Sequence, residues 1–336
     1  MVKKLLSVLK GEPQSPPPVW LMRQAGRYLP EYRALRANAP DFVAFCLNPE
    51  LAVEVTLQPV RRYNLDAAIL FADILLVPHA LGQKLWFAEG EGPRLDPIRD
   101  AAGIAALKYD AAKLAPVMQT IKGVRAALPA DAALIGFAGA PWTVATYMIE
   151  GKGGTDHEGI RALAWREPKT FARLMDVLVD ATSQYLIAQA DAGAEALQLF
   201  ESWAGTVPAG LFKQAVLDPT ARIVANVKAK HPKLPIIGFP RGAGSWLARY
   251  AEATGVDGIG VDQMTDIAAL ELPARVARQG NLDPILLLQG GEAMRAEAQR
   301  LVTAMKGKPF IFNLGHGVMQ PTPPEHVAEL VAAIRS

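Results

Sequence analysis

Short apolar runs alternate along this chain with longer stretches whose apolar residues recur every three or four positions. The short runs have the length of buried strands, and the longer stretches have the period of amphipathic helices. Strand-length runs fall at residues 19–22, 67–71, 133–137, 196–200, 236–239, 258–261, 275–279 and 309–313. The seventh is the weakest; residues 285–288 are more apolar and compete with it, although Pro284 stands at their start. Between the runs, Phe171, Leu174, Leu178, Ala181, Tyr185 and Ala188 form one helical stripe, and residues 49–63, 116–128, 220–230, 291–305 and 324–334 read similarly. Proline opens several of these helices, where the first N–H lacks an internal partner anyway.

Alternating strands and helices predict parallel strands joined by helical crossovers. Eight such units in 336 residues favour a closed (β/α)8 barrel, a single domain over residues 1–336 with residues 1–17 as an N-terminal helix and extension. The runner-up is an open doubly wound sheet, but no G-x-G-x-x-G follows the first run, and residues 151–155 lack the spacing of a phosphate loop. No Pro/Ser linker or composition break divides the chain.

Composition narrows the setting. Hydrophobic residues make up 51% and charged residues 20%, as in a globular protein with a sizeable core, and no apolar run is long enough to span a bilayer. The lysines and leucines at the N-terminus begin like a signal peptide, but Lys10 and Glu12 interrupt them, so a short amphipathic helix is expected. The single cysteine, Cys46, leaves no intrachain disulfide and fits a reducing cytoplasm. With a net charge of +2 and no basic block, there is no general attraction to nucleic acid, so affinity for anions must be local.

In a barrel of this kind the site is built from the loops that follow the strands. Polar groups stand after every run: Arg23 and Arg27, Asp73, Tyr147, Ser202, Arg241, Asp262, Asn281 with Asp283, and His316. Arg23 and Arg27 flank Gln24, Ala25 and Gly26 just beyond an apolar run, and guanidinium is a planar fork suited to carboxylate or phosphate. Asp73 lies between Leu70-Phe71 and Ile74-Leu75, where an ionised carboxylate is costly without donors or a cation. Each also has a plainer reading: solvated arginines, an aspartate capping a turn, a serine capping a helix, a tyrosine merely packed, a histidine bonding a Gly-His-Gly turn. With five scattered histidines, one cysteine, no C-x-x-C and no G-x-S-x-G, the expectation is a pocket with neither a zinc site nor a serine nucleophile, and with no cofactor.

These residues stand in motifs that closely resemble the uroporphyrinogen decarboxylase family: residues 18–33, Phe71-Ala72-Asp73-Ile74-Leu75, residues 136–143, residues 197–202, residues 279–284 and Asn313-Leu314-Gly315-His316-Gly317. The resemblance runs in order from about Pro18 to the C-terminus. It implies a homodimeric, cofactor-independent (β/α)8 enzyme that takes the four acetate side chains of uroporphyrinogen III to the methyl groups of coproporphyrinogen III. It further implies that Arg23 and Arg27 hold substrate carboxylates and that Asp73 accepts bonds from the pyrrole N–H groups. Gln24, Ala25 and Gly26 would complete the arginine loop against substrate. Tyr147, Ser202 and His316 would add contacts, and Phe137 and Phe200 would form apolar walls. Residues 263–265 depart from the family, whose members often carry tryptophan before the threonine, and so do Lys152 and Asp156-His157 in the glycine loop. A zinc-thiolate methyltransferase of the same superfamily and a non-catalytic tetrapyrrole carrier are the competing readings.

Overall fold

Seven of the eight apolar runs form one parallel sheet in the computed structural model, which describes residues 2–88 and 92–336. In chain order the strands are β1 (Ala67–Ile69), β2 (Leu85–Ala88), β3 (Gly92–Leu95), β4 (Ala133–Gly139), β5 (Ala196–Glu201), β6 (Ile236–Pro240), β7 (Gly258–Gly260), β8 (Ala277–Leu282) and β9 (Phe310–Leu314). The large sheet runs β1-β4-β5-β6-β7-β8-β9, every neighbour parallel, while β2 and β3 form a separate antiparallel hairpin. The sheet strands other than β1 and β7 span five to seven residues, and all are buried along their length, the signature of a sheet covered by helices.

The sheet is curled. Gln279 of β8 donates its amide to Gln198 of β5 at 3.0 Å and accepts from the Trp20 indole at 3.0 Å. Strands β5 and β8 are three steps apart, which in a flat sheet would separate them by roughly 14 Å. These side chains meet because they point into a common interior.

The first expected strand is not one. Val19 makes a single parallel bridge to Phe312 of β9, supported by Phe312 N–H to Pro18 O at 2.9 Å and Trp20 N–H to Phe312 O at 3.4 Å. On its other side Asp66 N–H donates to Val19 O at 3.0 Å, and Val19 N–H to the Asp66 carboxylate at 2.9 Å. The sequence explains why the run is so short. Pro16, Pro17 and Pro18 have no N–H to give a ladder, and Arg23, at φ 63°, turns the chain out of the extended region. The architecture is therefore a curled sheet of seven parallel strands with this segment bridged to β9, rather than the eight regular strands expected.

Two other expectations shift. The seventh run starts at Ala277 and extends to Leu282, while residues 285–288 lie in a helix, Pro284–Gln289, whose first turn is capped by Asp283 Oδ1 accepting from Ile285 N–H at 2.8 Å. The β2–β3 hairpin went unforeseen because its strands are short and carry no clean alternation. It matters for the site, since Leu95 N–H donates to Gly151 O at 2.9 Å and Arg94 bridges Lys152.

The helices follow the sequence reading closely. Pro49–Tyr63 has the expected bounds, and Pro168–Ala192 buries the stripe from Phe171 to Tyr185. The N-terminal helix is only Lys4–Val8, held down by an ion pair from Lys3 to Glu195 at 2.6 Å. Among the described residues no helix is long and apolar enough to cross a membrane.

Candidate active site

The loop after Val19–Trp20 is stapled on both sides. Gln24, wholly buried, accepts from Leu21 N–H at 3.0 Å and donates to Ala67 O at 3.1 Å, tying the loop to β1. Met22 N–H donates to the Asn313 side chain at 2.9 Å, tying it to β9. Between these anchors Arg23 adopts a left-handed backbone, a conformation that costs a bulky L-residue about 1–2 kcal/mol and persists only where its surroundings hold it. Gln24 thus commits its side-chain oxygen and one amide hydrogen to the scaffold. Gly26 packs so tightly that a Cβ there would lie 2.9 Å from Arg23 O, and Ala25 is half-buried beside it.

The stapled turn delivers the Arg23 side chain onto Gly317, where any Cβ would overlap Arg23 Cδ and come within 2.6 Å of its Cγ. Arg23 retains accessible surface, yet neighbouring protein partly desolvates its guanidinium. That desolvation lowers its pKa, the charges of Arg27 and Arg241 lower it further, and Tyr147 and Asp73 pull the other way. Arg27 is exposed at the rim, its carbonyl held by Arg33 Nη1 at 2.8 Å.

Asp73 follows β1. Its Oδ1 accepts Leu75 N–H at 2.8 Å, and no other side-chain hydrogen bond to it is made by the described residues. The plain turn-capping role is therefore present, and it occupies one carboxylate oxygen. Burial raises the Asp73 carboxyl from 3.8 to about 6, while the Leu75 N–H and Arg23 hold it down.

Tyr147 lies on the helix Pro141–Glu150, its ring tilted against Trp203 with centroids 4.4 Å apart. Burial raises its phenol to about 12, Asp73 adds to the rise, and Arg23 opposes it. That helix is bound to the end of β5 by Glu201, which accepts Trp142 N–H at 3.1 Å, Thr143 N–H at 2.7 Å and the Thr143 hydroxyl. Thr143 Oγ1 in turn accepts Trp203 N–H at 3.2 Å. Burial lifts the Glu201 carboxyl to about 7 against the pull of these donors. Only its position after a run of apolar strand residues hinted at this brace in the sequence.

Ser202 caps no helix. It is half-buried and lines a recess of about 240 Å³ with Trp203, Arg241, Gln263 and Met264. His316 keeps a buried Nδ1 with no hydrogen-bond partner among the described residues, so it does not serve the turn through that atom. Burial, then Arg23 and Arg241, drive its pKa down to about 3, leaving a neutral imidazole beside two guanidinium groups. Phe137 and Phe200 meet edge to face at 5.4 Å and are almost fully buried. Through these mutual electrostatic effects Arg23, Arg27, Asp73, Tyr147, Arg241 and His316 form one neighbourhood at the strand ends. Cys46, by contrast, is buried in the core.

A family model described as uroporphyrinogen decarboxylase (URO-D) matches residues 2–336. The chain is 51% identical to uroporphyrinogen decarboxylase of Rhodospirillum rubrum, over 99% of this chain and 97% of that protein. It is 53% identical to that of Jannaschia sp., over 99% of each. Among solved structures, a methyltransferase from Methanosarcina mazei superposes with a TM-score of 0.81 at 20% identity, over 98% of this chain and 97% of the other, a likeness of fold alone.

Proposed function

This chain belongs to the uroporphyrinogen decarboxylase family, and on that premise we propose that it decarboxylates the four acetate side chains of uroporphyrinogen III to give coproporphyrinogen III and carbon dioxide, without a cofactor. The observation that carries this reading is a carboxylate, Asp73, electrostatically coupled to a guanidinium at the mouth of a curled parallel sheet.

Direct loss of carbon dioxide from a pyrrole acetate would leave an unstabilised carbanion. Adding a proton to a ring carbon first makes the pyrrole a cationic electron sink. The C–C bond to the carboxylate can then break into it, a second proton completes the methyl group, and the ring carbon releases the first proton to restore the aromatic pyrrole. Ionised Asp73 stabilises that cation more than the neutral pyrrole, so its effect falls on the transition state. Arg23 and Arg27 bind substrate carboxylates, with Ala25 and Gly26 shaping their loop. Tyr147, Ser202 and His316 contact substrate, and Phe137 with Phe200 supplies an apolar wall. Arginine is ordinarily a poor acid, but burial and the charges of Arg27 and Arg241 shift Arg23 in the direction that eases donation, which makes it our candidate for the ring proton.

We further read the segment around Val19 as the eighth stave of a single-domain barrel, and the active form as a homodimer in the cytoplasm. Light scattering of the purified chain tests the dimer: a monomeric mass would exclude it.

The deciding assay incubates the chain anaerobically with uroporphyrinogen and no added metal or cofactor, and follows the carboxyl count of the product by mass. A four-carboxyl product is expected; unchanged eight-carboxyl substrate would overturn the proposal. Arg27→Ala, at the exposed rim, is expected to raise KM roughly 10-fold with kcat nearly unchanged, as for a contact made equally in ground and transition states. An unaltered KM would remove Arg27 from substrate binding.

A further inference from the structure

The glycine loop ends on a histidine that none of the preceding chemistry uses. His157 is 4% exposed and holds a left-handed backbone at φ 57°. Its Nδ1 lies 2.9 Å from Thr206 Oγ1, and its ring lies 4.7 Å from the Trp203 ring, whose centroid is 4.4 Å from that of Tyr147. Three aromatic rings therefore succeed one another from the loop to the active site. At the loop's other end, a Cβ on Gly153 would lie 3.0 Å from the Tyr147 hydroxyl. The loop thus meets Tyr147 directly at Gly153 and indirectly, through Trp203, at His157.

The hydrogen bonds also set the tautomer. The single Thr206 hydroxyl proton goes to Trp203 O at 2.8 Å, so Thr206 can only accept from His157, and Nδ1 must carry the ring hydrogen. Burial lowers the His157 pKa, in keeping with a neutral ring.

We propose that His157 is a positioning residue: it clamps the 151–157 loop to Thr206 and, through the Trp203 ring, sets the Tyr147 ring against the substrate. The role of Tyr147 rests on the decarboxylase reading; the clamp itself does not.

The test compares His157→Leu, His157→Asn and Thr206→Val, each alone and in a Tyr147→Phe background. Asparagine places Nδ2 where histidine has Nδ1 and tolerates a left-handed backbone, so it can still donate to Thr206. Leucine fills space but cannot donate. We expect His157→Leu and Thr206→Val to lower kcat about 10-fold with KM within about two-fold, a loss confined to the transition state. His157→Asn should retain most of the turnover. In the Tyr147→Phe background neither loss should recur, because coupled residues do not add. Thr206→Val, an exposed site, carries the test if His157→Leu fails to fold. Unchanged kcat in Thr206→Val, an asparagine variant as impaired as the leucine one, or full additivity with Tyr147→Phe would each overturn the proposal. Hydrogen exchange of the 151–157 peptide reports on the clamp independently of turnover: it should quicken in His157→Leu and Thr206→Val. Unaltered exchange in both overturns the clamp, whereas a wild-type chain that makes no product overturns the decarboxylase reading instead.

Discussion

Asp73→Asn is expected to lower kcat/KM by about 10²–10³-fold, the scale on which removing one preorganised charge-stabilising group acts. Asparagine still accepts the Leu75 N–H through its amide oxygen, so the turn keeps its hydrogen bond and only the negative charge is lost. Two pH effects follow from the same burial. The carboxyl titrates at about 6 in the fold, so wild-type kcat/KM should fall as pH drops through that region and the anion is neutralised. His316, at about 3, cannot produce this limb, and His316→Asn should keep it. Glu201, at about 7, is another group able to contribute, and Glu201→Gln separates the two: the limb must survive there and vanish in Asp73→Asn. A retained limb in Asp73→Asn would assign it elsewhere.

Stability should move the opposite way to activity. The Asp73 pKa is raised in the folded state, so folded protein binds the proton more tightly than unfolded chain does. Ionisation therefore costs stability above about pH 6, and the cost fades as pH falls toward 3.8. A rise from 3.8 to about 6 corresponds to at most roughly 3 kcal/mol. Asp73→Asn should accordingly melt higher than wild type at pH 8 and close to it at pH 4. Identical melting of the two at pH 8 would show that the carboxylate carries no desolvation cost.

The second large effect concerns the glycines around His316, which are required for close approach. A Cβ on Gly315 would overlap the backbone nitrogen of Gln263 and lie 2.7 Å from its Cβ, and backbone cannot swing aside as a side-chain tip can. Gly315→Ala should therefore destabilise the fold by about 3 kcal/mol, toward the upper end for overpacking. On Gly317 the three atoms nearest a new methyl all belong to the Arg23 side chain, which can rotate away. Gly317→Ala should keep nearly the wild-type melting temperature yet lose about 10–100-fold in kcat/KM, the worth of a displaced charged anchor. Its loss should be non-additive with that of Arg23→Ala. Equal melting losses in both glycine variants would refute the distinction.

The legible parts of this site share a cause. Arg23, Asp73, Ser202 and His316 each stand within a few residues of an apolar run, and strand ends are where a sheet of this class exposes side chains. What lay hidden were partnerships across the chain. Gln24 sits inside the arginine motif, and only the fold shows its amide donating to a β1 carbonyl at 3.1 Å. Glu201 was one polar residue after a strand until Trp142 and Thr143 were seen to share it. Lys152 and His157 read as loop variation, yet the unforeseen β2–β3 hairpin and Thr206 anchor them.

By itself the sequence determined the alternation of strand and helix, the order of the motifs and the identity of the charged groups at the strand ends, because hydrophobic period and residue chemistry are local properties. Only the tertiary structure decided that the first run is a bridge and not a regular strand, that the Asp73 carboxyl is raised to about 6 and the His316 imidazole lowered to about 3, and which polar side chains serve the scaffold. The physical reason is the same in each case. Register, desolvation and hydrogen-bond partnership depend on residues brought near from distant parts of the chain.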